Sequence, residues 1–154
     1  MLPVVLHHGL LGHGGLQVGP VKLPYFRGID RAIAGLGHPL ILPGVHPTGS
    51  IARRAAELKE FIVTRLNEMG QPDQKVILMA HSMGGLDARY AVSKLGLDRN
   101  VAVTVTTPHR GSPFADWAVR NIGRRLGVNH LLNFLKADWS AISDVTTESC
   151  AEFN

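Results

Sequence analysis

A chain of 154 residues, 45% apolar and 18% charged, is long enough to bury a core and too apolar for a disordered polymer. Its net charge of +4 is scattered, and the basic doublets Arg53-Arg54 and Arg124-Arg125 are not interleaved with aromatics, which argues against nucleic acid while leaving transient contact with a lipid surface open. The single cysteine, Cys150, excludes an internal disulfide, and no apolar run approaches a membrane span.

Met1 is followed almost at once by Val4 to His7, a short buried strand, so the chain as written shows no signal peptide and is expected in the cytoplasm. A turn rich in Gly and His runs from His8 to Gly15, and a Gly- and Pro-rich loop follows to about Pro24. Phe26, Ile29, Ala32, Ile33 and Leu36 predict an amphipathic helix closed by Gly37 and Pro39. Leu40 to Leu42 form a second short strand. Ser50 reads as the N-cap of a long helix with Ile51, Ala55, Leu58, Ile62, Leu66 and Met69 on one face. Gly70 and Pro72 end it.

Val76 to Met79 is an uninterrupted apolar run, the mark of a strand covered on both faces. It stops at Ala80-His-Ser-Met-Gly-Gly85. Leu86, Tyr90 and Ala91 then recur at helical spacing up to Leu95, with Gly96 as C-cap. Val101, Val103 and Val105 mark a further strand, closing on Thr106 to Ser112. Beyond Ser112 the strand signal ends. Apolar residues from Phe114 through Trp117, Ile122 and Leu131 to Leu135 predict one or two short helices, and a last helix starts near Thr147, capped by Thr146 or Thr147. Strands alternating with helices predict one α/β domain over 1–154, with a mostly parallel sheet of about four strands and helices on both faces.

Strand, small-residue turn and helix, in that order around Ser82, predict a nucleophile elbow. Ala80 and Gly84 flank the serine at the positions where bulk would hold strand and helix apart. A serine attacking an ester creates an oxyanion, which needs preorganised backbone donors. One is the amide of Met83, directly after the serine. The other is expected in the loop after the first strand, where the Leu10 amide can face Ser82 across one sheet edge. The run Gly12 to Gly15 lacks the Lys-Ser/Thr pair of a phosphate loop. The dispersed histidines lack metal-ligand spacing, so neither a metal nor a cofactor is expected.

These residues resemble the bacterial-type triacylglycerol lipases and esterases of the α/β-hydrolase superfamily. The matching pieces are Val5-Leu-His-His-Gly-Leu-Leu-Gly12, Ala80-His-Ser-Met-Gly-Gly85 with Arg89-Tyr90, and Thr107-Pro-His-Arg-Gly-Ser112. Val145 to Asn154 looks, less specifically, like the segment after the lid of such lipases. The resemblance implies an acyl ester or lipid substrate, Ser82 as nucleophile, and the Leu10 and Met83 amides as oxyanion hole. It also implies that the stretch 113–136 covers the site as a lid; from spacing alone its apolar residues serve equally as core.

In that superfamily the acid and the histidine follow the serine on later loops. Here both are expected to be missing from the chain, which then reads as an N-terminal portion with little turnover of its own. His7, His8 and His13 lie in or beside the oxyanion loop, His81 in the elbow, His109 after the last strand, and His38 and His46 at the surface around the second strand. His130, with Asp116 or Asp98 to orient it, is the weak candidate base. Asp87 reads as a surface or capping charge. The alternative is a non-catalytic interaction protein that keeps the elbow, lacks the triad and pairs through its open sheet edge.

Overall fold

A computed structural model describes residues 1–12, 16–18, 21–23, 25–97, 101–125 and 140–154. The strands are β1 (Val4–His7), β2 (Leu16–Val18), β3 (Val21–Leu23), β4 (Leu40–Ile41), β5 (Ile77–His81) and β6 (Val101–Val105). The helices are α1 (Ile29–Gly35), α2 (Ile51–Glu68), α3 (Gly84–Leu95), α4 (Pro113–Arg125), α5 (Ser140–Asp144) and α6 (Thr147–Phe153). Strands β4, β1, β5 and β6 form one four-stranded sheet in that order, and all of its pairings are parallel. His7 lies beside Ala80, and His81 beside Val105, so the loops after β1, β5 and β6 leave from one edge. Leu10, Ser82 and Met83 are thereby carried to that edge.

The antiparallel pair β2–β3 was not expected, because the Gly and Pro around it read as loop. Its strands are three residues each, too short to show alternation. The helices end close to where their caps put them. Ser50 holds an extended backbone and its Oγ accepts the Arg53 amide at 3.3 Å, while Asp144 of α5 accepts the Ile51 amide at 2.7 Å. Gly96 closes α3 in the left-handed conformation, and Thr146 caps α6 by accepting the Ser149 amide.

The core lies on one face of the sheet. Ala55, Leu58, Ile62 and Leu66 of α2 and Ala88 and Ala91 of α3 pack on Val5, Ile41, Leu78 and Ala80. Along β5 burial alternates: Leu78 and Ala80 are buried under these helices, while Ile77, Met79 and His81 are partly exposed. The unbroken apolar run therefore does not mean equal cover on both sides. Over the second face lie Tyr25, Phe26 and Ile29, beside Leu6, Met79, His81 and Val105. A smaller cluster of Ile51, Met83, Leu86, Ala141 and Cys150 docks α5 and α6 against the start of α3. Among the described residues no helix is long and apolar enough to cross a membrane.

Gly85 shows how tightly α3 meets the loop after β6. A Cβ built there would lie 2.0 Å from Thr107 Oγ1 and 2.8 Å from Thr107 Cβ. Gly85→Ala is expected to destabilise the fold by about 1–3 kcal/mol through overpacking, read as a lower urea midpoint at unchanged slope. An unaltered midpoint would contradict this packing.

Candidate active site

Ser82 sits in the turn between β5 and α3 with φ of +55°, a left-handed conformation that costs a β-carbon residue about 1–3 kcal/mol. The turn is clamped from both sides. The Ser82 amide donates to the Val105 carbonyl at 2.9 Å, and the Ser82 carbonyl accepts the Gly85 amide at 3.0 Å as the helix begins. Small neighbours let the backbones meet: a Cβ on Gly84 would lie 2.6 Å from the His8 carbonyl oxygen. Gly9 is as confined, its hypothetical Cβ falling 2.9 Å from Ser82 Cβ and 3.3 Å from Ser82 Oγ. The loop after β1 thus lies directly against the serine.

Among the described residues neither the Leu10 nor the Met83 amide has a hydrogen-bond partner. The anchoring of the preceding carbonyl explains where the Leu10 amide points. Gly9 O accepts the Gly12 amide at 3.2 Å, His8 Nδ1–H at 2.9 Å and Arg54 Nη2 at 3.3 Å. In a trans peptide the carbonyl and the following N–H point opposite ways, so donors gathered on Gly9 O turn the Leu10 N–H away from them. Leu10, Ser82 and Met83 line one cleft of about 350 Å³. Its remaining wall includes Thr106, Phe114, Ala115, Ala141, Ile142 and Val145, which is largely apolar.

The loop is held from beneath by a wholly buried arginine. Arg54 is 0% exposed and sends Nε to Asp87 Oδ2, Nη1 to His46 O and Nη2 to His8 O, each at 2.8 Å. Asp87, also 0% exposed, accepts from His7 Nε2 at 2.8 Å as well. Asp87 is therefore not the surface or capping charge its place near a helix start suggested. The fourth residue of α3 faces inward, toward β1 and α2, and its charge is matched there. Sequence reasoning missed Arg54 too, taking it only as half of a basic doublet. The signal was its position, three residues after Ile51 and next to Ala55, on the apolar face of α2.

Burial keeps the nearby histidines neutral. Desolvation lowers the His7 pKa against the pull of Asp87, and desolvation together with His7 and Arg54 lowers His8 to about 4. His81 is turned to Tyr25, with Nδ1 2.7 Å from the phenol oxygen. His109 sits between Arg89 Nη1 and Thr104 Oγ1, 3.1 Å from each, tying β6 to α3. Neither His38 nor His46 is fully at the surface: both are partly buried, His38 Nδ1 donating to Leu2 O at 2.8 Å. Asp116 is spent on α6, its Oδ1 and Oδ2 accepting the Thr147 amide and hydroxyl at 2.9 Å each. His13, Asp98 and His130 lie outside the described residues, as does the predicted lid beyond Arg125. Among the described residues no histidine is hydrogen-bonded to Ser82, and no three His, Cys, Asp or Glu side chains are grouped to hold a metal.

The PGAP1-like alpha/beta domain family matches residues 48–152, more than half of the chain and all of the elbow. The chain belongs to this family. It is 33% identical over 105 residues to triacylglycerol lipase 2 of Saccharomyces cerevisiae, an alignment covering 64% of this chain and 32% of that protein. It is 34% identical over 115 residues to a triacylglycerol lipase of Vibrio cholerae, covering 74% of this chain and 35% of the other. The chain thus spans about a third of the length of these curated relatives. In three dimensions it matches the mature Bacillus licheniformis lipase BlEst2 with a TM-score of 0.75 at 24% identity, over 99% of this chain and 57% of that one. The parallel sheet with its elbow is the α/β-hydrolase fold of lipases and esterases.

Two expectations follow from the buried network. Arg54→Met leaves Asp87 with a buried charge held by His7 alone and should cost about 3–5 kcal/mol in urea unfolding; a loss below about 1 kcal/mol would contradict the role of the pair. The depressed pKa of His8 makes a stability contribution that is complete above the unfolded value near 6.5 and is lost as the pH falls toward about 4. His7 acts in the same direction. The urea midpoint should therefore fall between these limits, and His8→Asn should flatten the fall; an equally steep fall in the variant would contradict it.

Proposed function

We propose that this protein is a serine carboxylic ester hydrolase that acts on esters with an apolar acyl chain. One observation carries the reading: Ser82, held at φ +55°, opens into a largely apolar cleft with the Leu10 and Met83 amides, which have no partner among the described residues. Ser82 Oγ attacks the ester carbonyl, and its proton passes to a general base. The carbonyl oxygen gains the negative charge and is held by the Leu10 and Met83 amides, the latter at the positive end of α3. Collapse of this intermediate expels the alcohol and leaves the acyl group on Ser82. Water then attacks the acyl-enzyme and releases the acid. Phe114, Ala115, Ile142 and Val145 supply the apolar wall along which an acyl chain lies. The triacylglycerol lipases among its relatives support acyl esters as the substrate class. The base and its orienting acid come from outside the described residues.

The test offers the purified chain an aryl ester of a short acid and, separately, a serine-reactive phosphonate. Labelling at Ser82 that disappears in Ser82→Ala is expected, as is a loss of any ester turnover by about 10³-fold or more in that variant. Turnover abolished in this way also sinks a purely interaction role. Label on another residue, or turnover indifferent to Ser82→Ala, contradicts the proposal. Turnover lost in His130→Ala assigns the base to that residue.

A further inference from the structure

Gly9 is the joint on which the oxyanion loop turns. The peptide before it carries His8 C=O and Gly9 N–H, and the peptide after it carries Gly9 C=O and Leu10 N–H. With no side chain to limit it, Gly9 lets these two planes rotate against each other freely unless both are pinned. Arg54 and the Gly12 amide pin the second plane, and Arg54 Nη2 reaches the carbonyl of the first. The other end of the first plane is held by one side chain: the Gly9 amide donates to the Tyr25 hydroxyl at 3.3 Å.

We propose that Tyr25 is a positioning residue for the oxyanion hole, its hydroxyl bridging Gly9 to His81 and so fixing the direction of the Leu10 amide beside Ser82. The inference rests on the reading of Ser82 as nucleophile. The bridge joins the residue before one oxyanion donor to the residue before the nucleophile, so elbow and loop keep one spacing. A phenol has one proton to donate and lone pairs to accept with. Donating to His81 Nδ1 at 2.7 Å, it is free to accept the Gly9 N–H. The ring that presents this hydroxyl is braced edge-on by Phe26 at 4.9 Å and flanked by His8 and His81 at 5.8 and 5.7 Å. Arg54 grips the loop from the core side and Tyr25 from the opposite sheet face, which is the arrangement a two-plane clamp needs.

Tyr25→Phe keeps the ring and removes the bridge. The readouts are hydrogen exchange at the Gly9 amide and affinity for phenylboronic acid, which forms a tetrahedral anion on an oxyanion-hole serine without a turnover step. In the full chain, loss of the bond is expected to speed Gly9 exchange by about tenfold and to weaken boronate binding by a similar factor, with the cooperative unfolding transition retained. His81→Ala, which removes the acceptor of the phenol proton, is expected to change both in the same direction and serves if the first variant fails to fold. An unchanged Gly9 exchange rate, or an unchanged boronate affinity, in a folded variant overturns the proposal. Ser82→Ala separates the two readings: it should abolish boronate binding while leaving Gly9 protected. Boronate binding that survives Ser82→Ala overturns the nucleophile assignment instead, whatever Tyr25 does.

Discussion

The buried pairing of Arg54 with Asp87 is the constraint on which the rest of the site depends. Two opposite charges lie wholly out of water: the guanidinium also bonds the His8, Gly9 and His46 carbonyls, and Asp87 Oδ2 also accepts from His7, while Asp87 Oδ1 has no hydrogen-bond partner among the described residues. Such a pair adds little net stability compared with apolar packing, because desolvation offsets most of the attraction. What it does is fix geometry. It joins α2, α3 and the loop after β1 at one point, so the loop bearing Leu10 is held against the turn bearing Ser82 and Met83. Replacing the pair with apolar residues of equal volume is expected to keep the fold and to lose the loop.

The strain at Ser82 follows from that frame. A left-handed serine persists only where the surroundings over-determine it. Here the Val105 carbonyl holds its amide, Gly84 and Gly85 admit the β1 loop and Thr107, and the Met83, Leu86, Ala141 and Cys150 cluster seats the following helix. The C-terminal helices are tied in by Asp144 on the Ile51 amide, Asp116 on Thr147, and Arg89 on Asn154 at 2.8 Å. The apolar side of the cleft is made largely by these later elements, so the cleft exists because they dock.

Much of the fold was legible because local rules decided it. Apolar runs set the main strands, Ser50 and Thr146 set two helix starts, and Gly96 set one end. The elbow was legible because small residues around a serine between strand and helix have one economical explanation. The closeness of the loop after β1 to that serine was legible only through topology, since parallel strands deliver β1 and β5 to one edge. What escaped was decided by distant contacts. Arg54 and Asp87 look like surface charges until each is placed opposite the other, although Arg54 already stood on an apolar face. Tyr25 carries no motif, and its role arises from a hydroxyl meeting residues 16 and 56 positions away. The β2–β3 pair was too short to show a period.

The central claim is that the Leu10 and Met83 amides already face the position that an oxyanion on Ser82 will occupy. It is tested most directly by a crystal structure of the chain phosphonylated at Ser82. The account predicts the phosphoryl oxygen within about 2.7–3.1 Å of both amide nitrogens, with the loop from His8 to Gly12 unmoved. An adduct whose oxygen points to solvent, or a loop that must rearrange to reach it, would contradict the account.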